Sequence, residues 1–247
     1  MIPPIARRFV AGESAVDVLD RTRALNDRGI GAICNRLGEH YDTPDAADDD
    51  VRDYRRLLEA FEERDLRGRI SAKPTQLGLD VDESTFRANL ARLVEVARET
   101  GRVVWLDMEG PETTEATVSA FEDAAPDHPG GLGLCLQANL TRTDEDIARL
   151  ADLPGRIRLV KGAYDPPDNE GVRGRDAVRD AYEARLRQLC MTRNGTHQGV
   201  AIGTHDDELI DVARSLAAEH DIDLELQMLM GVREDDQEQL ARELDVW

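Results

Sequence analysis

Seven short apolar runs, each followed by a longer stretch of polar or helical periodicity, restrict what this 247-residue chain can fold into. The runs are GIGAICNRLGE (29–39), RISAKPTQLGL (69–79), VVWLDMEG (103–110), GLGLCLQANL (131–140), RIRLVKGAY (156–164), GVAIGTH (199–205) and LELQMLMG (224–231), with an amphipathic segment ahead of the first. Between them, ESTFRANLARLVEVARETG repeats Phe86, Leu90, Leu93, Val94 and Ala97 at helical spacing, with Asp82 placed to cap its start and Gly101 its end. TRTDEDIARL follows the same logic, with Thr143 as expected N-cap and Asp146 three residues on. Strands that alternate strictly with helices pair in parallel, because each strand must return to the same end of the sheet through a crossover. A chain of this length holds such a sheet and its helices as one domain, spanning 1–247.

The strand faces distinguish an open sheet from a closed barrel. An open sheet meets helices on both faces, so its strands are apolar throughout. Here only one phase is apolar. Leu224, Leu226 and Met228 oppose Glu225 and Gln227; Ile157 and Leu159 oppose Arg158; Val104, Leu106 and Met108 oppose Asp107; Ile70 and Ala72 oppose Ser71 and Lys73. Gln137 opposes Leu134 and Leu136, and His205 opposes Ile202 and Thr204. A closed α/β barrel accounts for this pattern, since its outer face meets helices while its inner face lines a site toward the C-terminal rim. It gathers Lys73, Asp107, Gln137, Arg158, His205 and Glu225 around one axis. An open sheet, the alternative, scatters them over two faces.

Charge narrows the partners. Asp and Glu number 51 against 31 Lys and Arg, giving a net charge of −20, with acidic tracts such as DAADDD (45–50) and REDDQEQ (233–239). Phosphate contacts need a basic face, so nucleic acid is not an expected partner. Strong acidity with few lysines matches proteins of a salt-rich cytoplasm, where ionic strength screens carboxylate repulsion; simple acidic drift is the bland alternative. No apolar run reaches the roughly 18 residues of a transmembrane segment, and the opening MIPPIARRFVAGES lacks a signal-peptide core. The expected location is the cytoplasm, at most peripheral at the inner face of the membrane. Cys34, Cys135 and Cys190 are widely spread and show no CxxC spacing, so buried reduced thiols are expected.

Two cations stand out. Arg158 interrupts an apolar run, and a buried charge of this kind requires a counter-ion, for which Asp107 and Glu225 are the candidates. Among 31 basic residues only Lys73 and Lys161 are lysines. A lysine retained in so lysine-poor a chain points to a compact point charge that arginine does not mimic, although pairing with a nearby acid is the plain structural alternative.

Taken in order on successive strands, SAKPTQLGL, LDMEG, LQANL, RLVKGAY, GTH and ELQMLMG resemble the proline dehydrogenases, flavoenzymes of proline catabolism. RLVKGAY is the most specific of these motifs; GTH alone carries nothing. The resemblance implies a distorted (βα)8 TIM-type barrel with an N-terminal helix, binding FAD and removing hydride from proline to give 1-pyrroline-5-carboxylate. It also implies a quinone or other respiratory electron acceptor.

The resemblance assigns roles residue by residue. Lys73 meets the substrate carboxylate, Arg158 lies against the flavin near N5, and Asp107 is an active-site carboxylate. Met108 touches the flavin, Gln137 faces its pyrimidine edge, and Lys161, Gly162 and Ala163 form a cofactor turn where a bare backbone approaches closely. Thr204 and His205 fall where the family binds the phosphate and ribose region of FAD. Glu225 and Gln227 complete the barrel interior without an assigned role.

Departures from the family pattern are Asn139 in place of a Tyr, Asp206 in place of an Asn, and the end of the chain at Trp247. Family members continue from a similar Val-Trp pair into an eighth strand and a helix with a Tyr and an Arg-Arg pair over the substrate. The expectation is therefore seven strands, an eighth βα unit missing and impaired turnover. A non-catalytic barrel remnant serving as an interaction module is the alternative. A phosphate-binding aldolase-type barrel is a weaker one, since MGVREDD is acidic where an anion loop is needed.

Overall fold

Among the described residues, which are 9–163, 166–193 and 199–247 of the computed structural model, helices and strands alternate along the whole chain. In order they are α1 (Ala15–Asn26), β1 (Ala32–Cys34), α2 (Pro44–Glu63), β2 (Gly68–Ala72), α3 (Glu83–Glu99), β3 (Val104–Leu106), α4 (Pro111–Ala124) and β4 (Leu132–Gln137). There follow α5 (Thr143–Arg149), β5 (Arg156–Val160), α6 (Arg175–Thr192), β6 (Val200–Gly203), α7 (Asp207–His220), β7 (Leu224–Gln227), α8 (Glu234–Leu240) and β8 (Asp245–Val246). The strands form one parallel sheet in the order β1 to β8.

The register explains the two-phase pattern of the sequence. Ala72, Leu106, Leu134, Ile157, Val200 and Leu224 sit side by side from β2 to β7 and pack into the main core. Each large buried side chain of this row contributes about 1.5–3 kcal/mol by leaving water, as an upper bound. The opposite phase carries the row Cys135, Arg158, Ala201, Glu225 and Asp245 from β4 to β8. On that face Val103, Trp105 and Ala201, with Ile33 against them, form a small apolar cluster separate from the main core. Helix α3 shows how the outer layer forms. Phe86, Leu90, Leu93, Val94 and Ala97 are buried, Asp82 accepts from the Thr85 N–H at 2.7 Å, and Gly101 follows the C-cap at φ 63°. Thr143 is not the cap of α5: it is the first residue of that helix, with Arg142 preceding it, and its hydroxyl donates to the Gln137 carbonyl at 2.5 Å.

The expectation of seven strands is corrected: the sheet has eight. The residues after α8 form β8, whose two residues are too few to show alternation in the sequence. Trp247 N–H donates to the Leu226 carbonyl at 2.9 Å, and Met228 N–H donates to the Trp247 carbonyl at 2.9 Å. On the other side the Gly31 N–H donates to the Val246 carbonyl at 2.9 Å, so the first and last strands meet and the edge problem is relieved. Gly31 is required by this closure, because a Cβ there would lie 2.3 Å from the Trp247 ring. Gly31→Ala is expected to cost about 1–3 kcal/mol through forced overpacking. The check is the urea midpoint; a variant that unfolds with the parent would show that the seam between β8 and β1 carries no load.

Cys135 and Cys190 are buried and Cys34 half-buried, all as free thiols. Among the described residues no helix is long and apolar enough to cross a membrane.

Candidate active site

The C-terminal ends of β1, β2, β3, β5 and β7 bring one buried cluster together. Asp107 directly follows β3 and continues its ladder, its N–H donating to the Ala72 carbonyl at 2.9 Å. Its carboxylate pairs with the Arg158 guanidinium of β5 and accepts from the Ser71 hydroxyl at 2.7 Å and the Asn35 amide at 3.0 Å. Arg158 donates further to the Gln227 side-chain oxygen at 2.9 Å and to the Ser71 hydroxyl at 3.2 Å, and lies 4.9 Å from the centre of the Trp105 ring. Burial works against its charge, so Arg158 needs a buried countercharge. Cys135 beside it is a thiol whose pKa burial raises, so Asp107 is the countercharge.

Asp107 thus answers the counter-ion question posed by Arg158, and Glu225 does not. Glu225 bridges Arg69 at 2.5 Å and Arg156 at 3.3 Å, and it reaches Arg158 only through Gln227, whose amide donates to it at 2.6 Å. Lys73 likewise stands apart from Asp107: it follows β2 and pairs with Glu39. Its turn is pinned to the end of β3, where the Thr75 N–H and hydroxyl donate to the Glu109 carboxylate at 2.9 and 2.8 Å. Glu109 is buried, and burial pushes its pKa up.

The other predicted residues sit at or just beyond the ends of β3 to β6. Met108 is buried in the main core, on the opposite phase from Asp107. Gln137 spends its amide inside the protein, donating to the Glu109 carbonyl at 2.7 Å and accepting from the Ala163 N–H at 3.2 Å. Lys161 pairs with Asp206 at 2.9 Å. Gly162 stands at φ 115°, and a Cβ there would fall 2.1 Å from the Asn139 side-chain oxygen, so its lack of a side chain is needed to seat the turn against Asn139. Buried Thr204 accepts from the Asp206 N–H at 3.2 Å. His205 accepts from the Leu229 N–H through Nε2 at 3.0 Å, which places the ring proton on Nδ1. Burial, then the nearby Arg233, pulls the His205 pKa below its ordinary value, so the imidazole is neutral at neutral pH.

Sequence reasoning passed over Asn35, Ser71 and Trp105 and left Gln227 without a role. Ser71 and Gln227 share the polar phase of their strands, which was the available signal; Asn35 lies just past β1 in the phase of Ile33 and carries none of its own. Among the described residues, Arg158 Nε, Trp105 Nε1 and His205 Nδ1 are buried donors of this site with no hydrogen-bond partner. The arrangement is a fixed cation and its carboxylate sunk within the barrel, with further polar groups at the rim.

Residues 18–246 match the sequence profile of the family described as proline dehydrogenase. Proline dehydrogenase 1 of Bacillus subtilis (strain 168) is 33% identical over 241 residues, covering 96% of this chain and 78% of that protein. Proline dehydrogenase of Deinococcus radiodurans is 32% identical over 246 residues, covering 97% and 78%. Among solved structures, proline utilization A from Bdellovibrio bacteriovorus, inactivated by N-propargylglycine, superimposes with a TM-score of 0.85 at 20% identity. That match covers 96% of this chain and 30% of the longer one, and it establishes the barrel fold. The chain is an enzyme that belongs to the proline dehydrogenase family.

Proposed function

We propose that this enzyme oxidises L-proline to 1-pyrroline-5-carboxylate with FAD, as a step of proline catabolism, and passes the electrons to a quinone or other respiratory acceptor. The observation that carries the reading is the buried Asp107–Arg158 pair at the strand ends of a proline dehydrogenase barrel. FAD, when bound, supplies the hydride acceptor. The residues present fit such a group: buried donors at Arg158 Nε and His205 Nδ1 have no hydrogen-bond partner among the described residues, and an acceptor-rich cofactor offers what they need. Arg158, Met108, Gln137, Thr204, His205 and the turn of Lys161, Gly162 and Ala163 are the proposed cofactor residues.

Lys73 is the proposed clamp for the proline carboxylate, a point charge on a pinned turn that exchanges Glu39 for the substrate. Asp107 positions Arg158 and keeps it charged. Arg158 provides a permanent cation where negative charge gathers during the reaction, and it needs no reorganisation because four residues already hold it. Oxidation takes a hydride from the ring carbon next to nitrogen and a proton from nitrogen, leaving a C=N bond; solvent is the proposed proton acceptor.

The test is to purify the chain at high salt, load it with FAD and follow the flavin absorbance on anaerobic addition of proline. Bleaching with formation of an imine trapped by an aromatic amine is expected. A protein that takes up no flavin, or holds it oxidised in saturating proline, would reject the proposal and favour a non-catalytic barrel.

A further inference from the structure

The end of the barrel opposite Asp107 holds a cavity of about 540 Å³. Its lining comes mostly from strand starts and the loops before them, with Trp247 beside them; the charged side chains among the described lining are Arg67, Arg69, Arg102 and Arg156, with no Asp or Glu among them. In a chain of net charge −20 this convergence runs against composition.

The neighbouring acids do not cancel it. Glu225 is buried, yet it is one carboxylate serving both Arg69 and Arg156, and Gln227 occupies its other oxygen. Asp245 pairs with Arg67 at 2.5 Å, Asp223 lies 3.6 Å from Arg156 and Glu62 lies 3.8 Å from Arg102, but these three side chains are 43%, 65% and 58% exposed. Pairs so open to water add little. The buried Arg69 and the half-buried Arg156 therefore share one buried carboxylate. The Arg69 pKa is lowered accordingly, by burial first and by the facing Arg156 in addition, despite Glu225.

Trp247 fixes the array without neutralising it. The Arg69 guanidinium lies 3.6 Å and that of Arg67 5.0 Å from the centre of the Trp247 ring. Arg102 is held by backbone carbonyls, those of Phe61 at 3.2 Å and Leu66. Pre-placed guanidinium forks are suited to planar or tetrahedral oxyanions.

We propose that the N-terminal mouth of the barrel is a second binding site, for a small oxyanion of two or more charges, either a dicarboxylate or a phosphate. It lies at the other end of the barrel from the Asp107–Arg158 cluster, which it meets through the Glu225–Gln227 hydrogen bond, and it does not depend on the reaction assigned there.

The test titrates the full chain with inorganic phosphate, succinate and acetate at ionic strength fixed with sodium chloride, read by calorimetry and by the fluorescence of Trp247 in a Trp105→Phe background. Saturable binding of phosphate, succinate or both is expected, at least about tenfold tighter than acetate and weakened at least about tenfold in Arg156→Gln or Arg67→Gln. Phosphate alone would identify a phosphoryl ligand, succinate alone a carboxylate. Arg67 is at the rim, so Arg67→Gln decides the matter if Arg156→Gln fails to fold by circular dichroism. Neither dianion binding better than acetate, or affinity unchanged in both variants, would overturn the proposal.

Discussion

Asp107→Ala is expected to lower stability by about 3 kcal/mol or more, because it leaves the guanidinium of Arg158 buried with only neutral partners. Side-chain exposure is 10% for Arg158 and 23% for Asp107, so water does not replace the lost carboxylate well. Gln227 and Ser71 remain as acceptors, which holds the loss toward the lower end of the range for a broken buried pair. For a domain of this size the change corresponds to a fall in Tm of about 6–12 °C. Breaking the surface pair of Arg214 and Glu243, 41% and 60% exposed, gives the contrast: under about 1 kcal/mol. Asp107→Asn keeps an oxygen for Ser71 and Arg158 and should fall between the two. Equal melting of Asp107→Ala and the parent would mean that Arg158 finds its countercharge elsewhere, and the account of the buried cluster would be wrong.

The sequence carried the outer half of this architecture more clearly than the inner half. Leu106, Leu134, Ile157 and Val200 recur every second residue within their strands, and helical spacing in α3 marks the face that covers such a sheet, so the barrel and its polar inner phase were legible from local pattern. Which inner groups meet was not, because pairing across the axis depends on register between distant strands. Arg158 and Asp107 are 51 positions apart, and Glu225, equally acidic and on the same phase, bonds to Arg69 and Arg156 instead. Neutral partners were harder still: Ser71 and Asn35 look like ordinary polar residues until the fold places them on Asp107. The arginine-lined cavity shows the same limit, since its four cations come from the starts of β2, β3 and β5 and converge only when the sheet curls. The eighth strand escaped for the opposite reason, being too short for a period yet held from both sides by backbone hydrogen bonds.

Arg158→Met should separate catalysis from folding in the way Asp107→Ala does not. Removing the cation leaves Asp107 partly open to water and still bonded by Ser71 at 2.7 Å and Asn35 at 3.0 Å, so the carboxylate is not stranded. The thioether refills much of the volume beside Trp105, and a stability loss of about 1–3 kcal/mol is expected from imperfect packing and lost hydrogen bonds. The proposed reaction loses the cation that Asp107 positions, and deletion of one pre-organised electrostatic group typically costs about 10²–10³ in rate. The expected result is therefore a fall of that size in kcat/KM for proline, carried mainly by kcat because the proposed carboxylate clamp at Lys73 is untouched. Arg158→Lys keeps the charge but not the fork that reaches Gln227, Ser71 and Asp107 together, so it should recover part of the rate and not all of it. Parallel measurement of kcat, KM and urea midpoints for the two variants checks the argument. A methionine variant that turns over proline within about threefold of the parent would show that stabilisation by Arg158 is structural, and would move the search for the catalytic cation to Lys73 and Lys161.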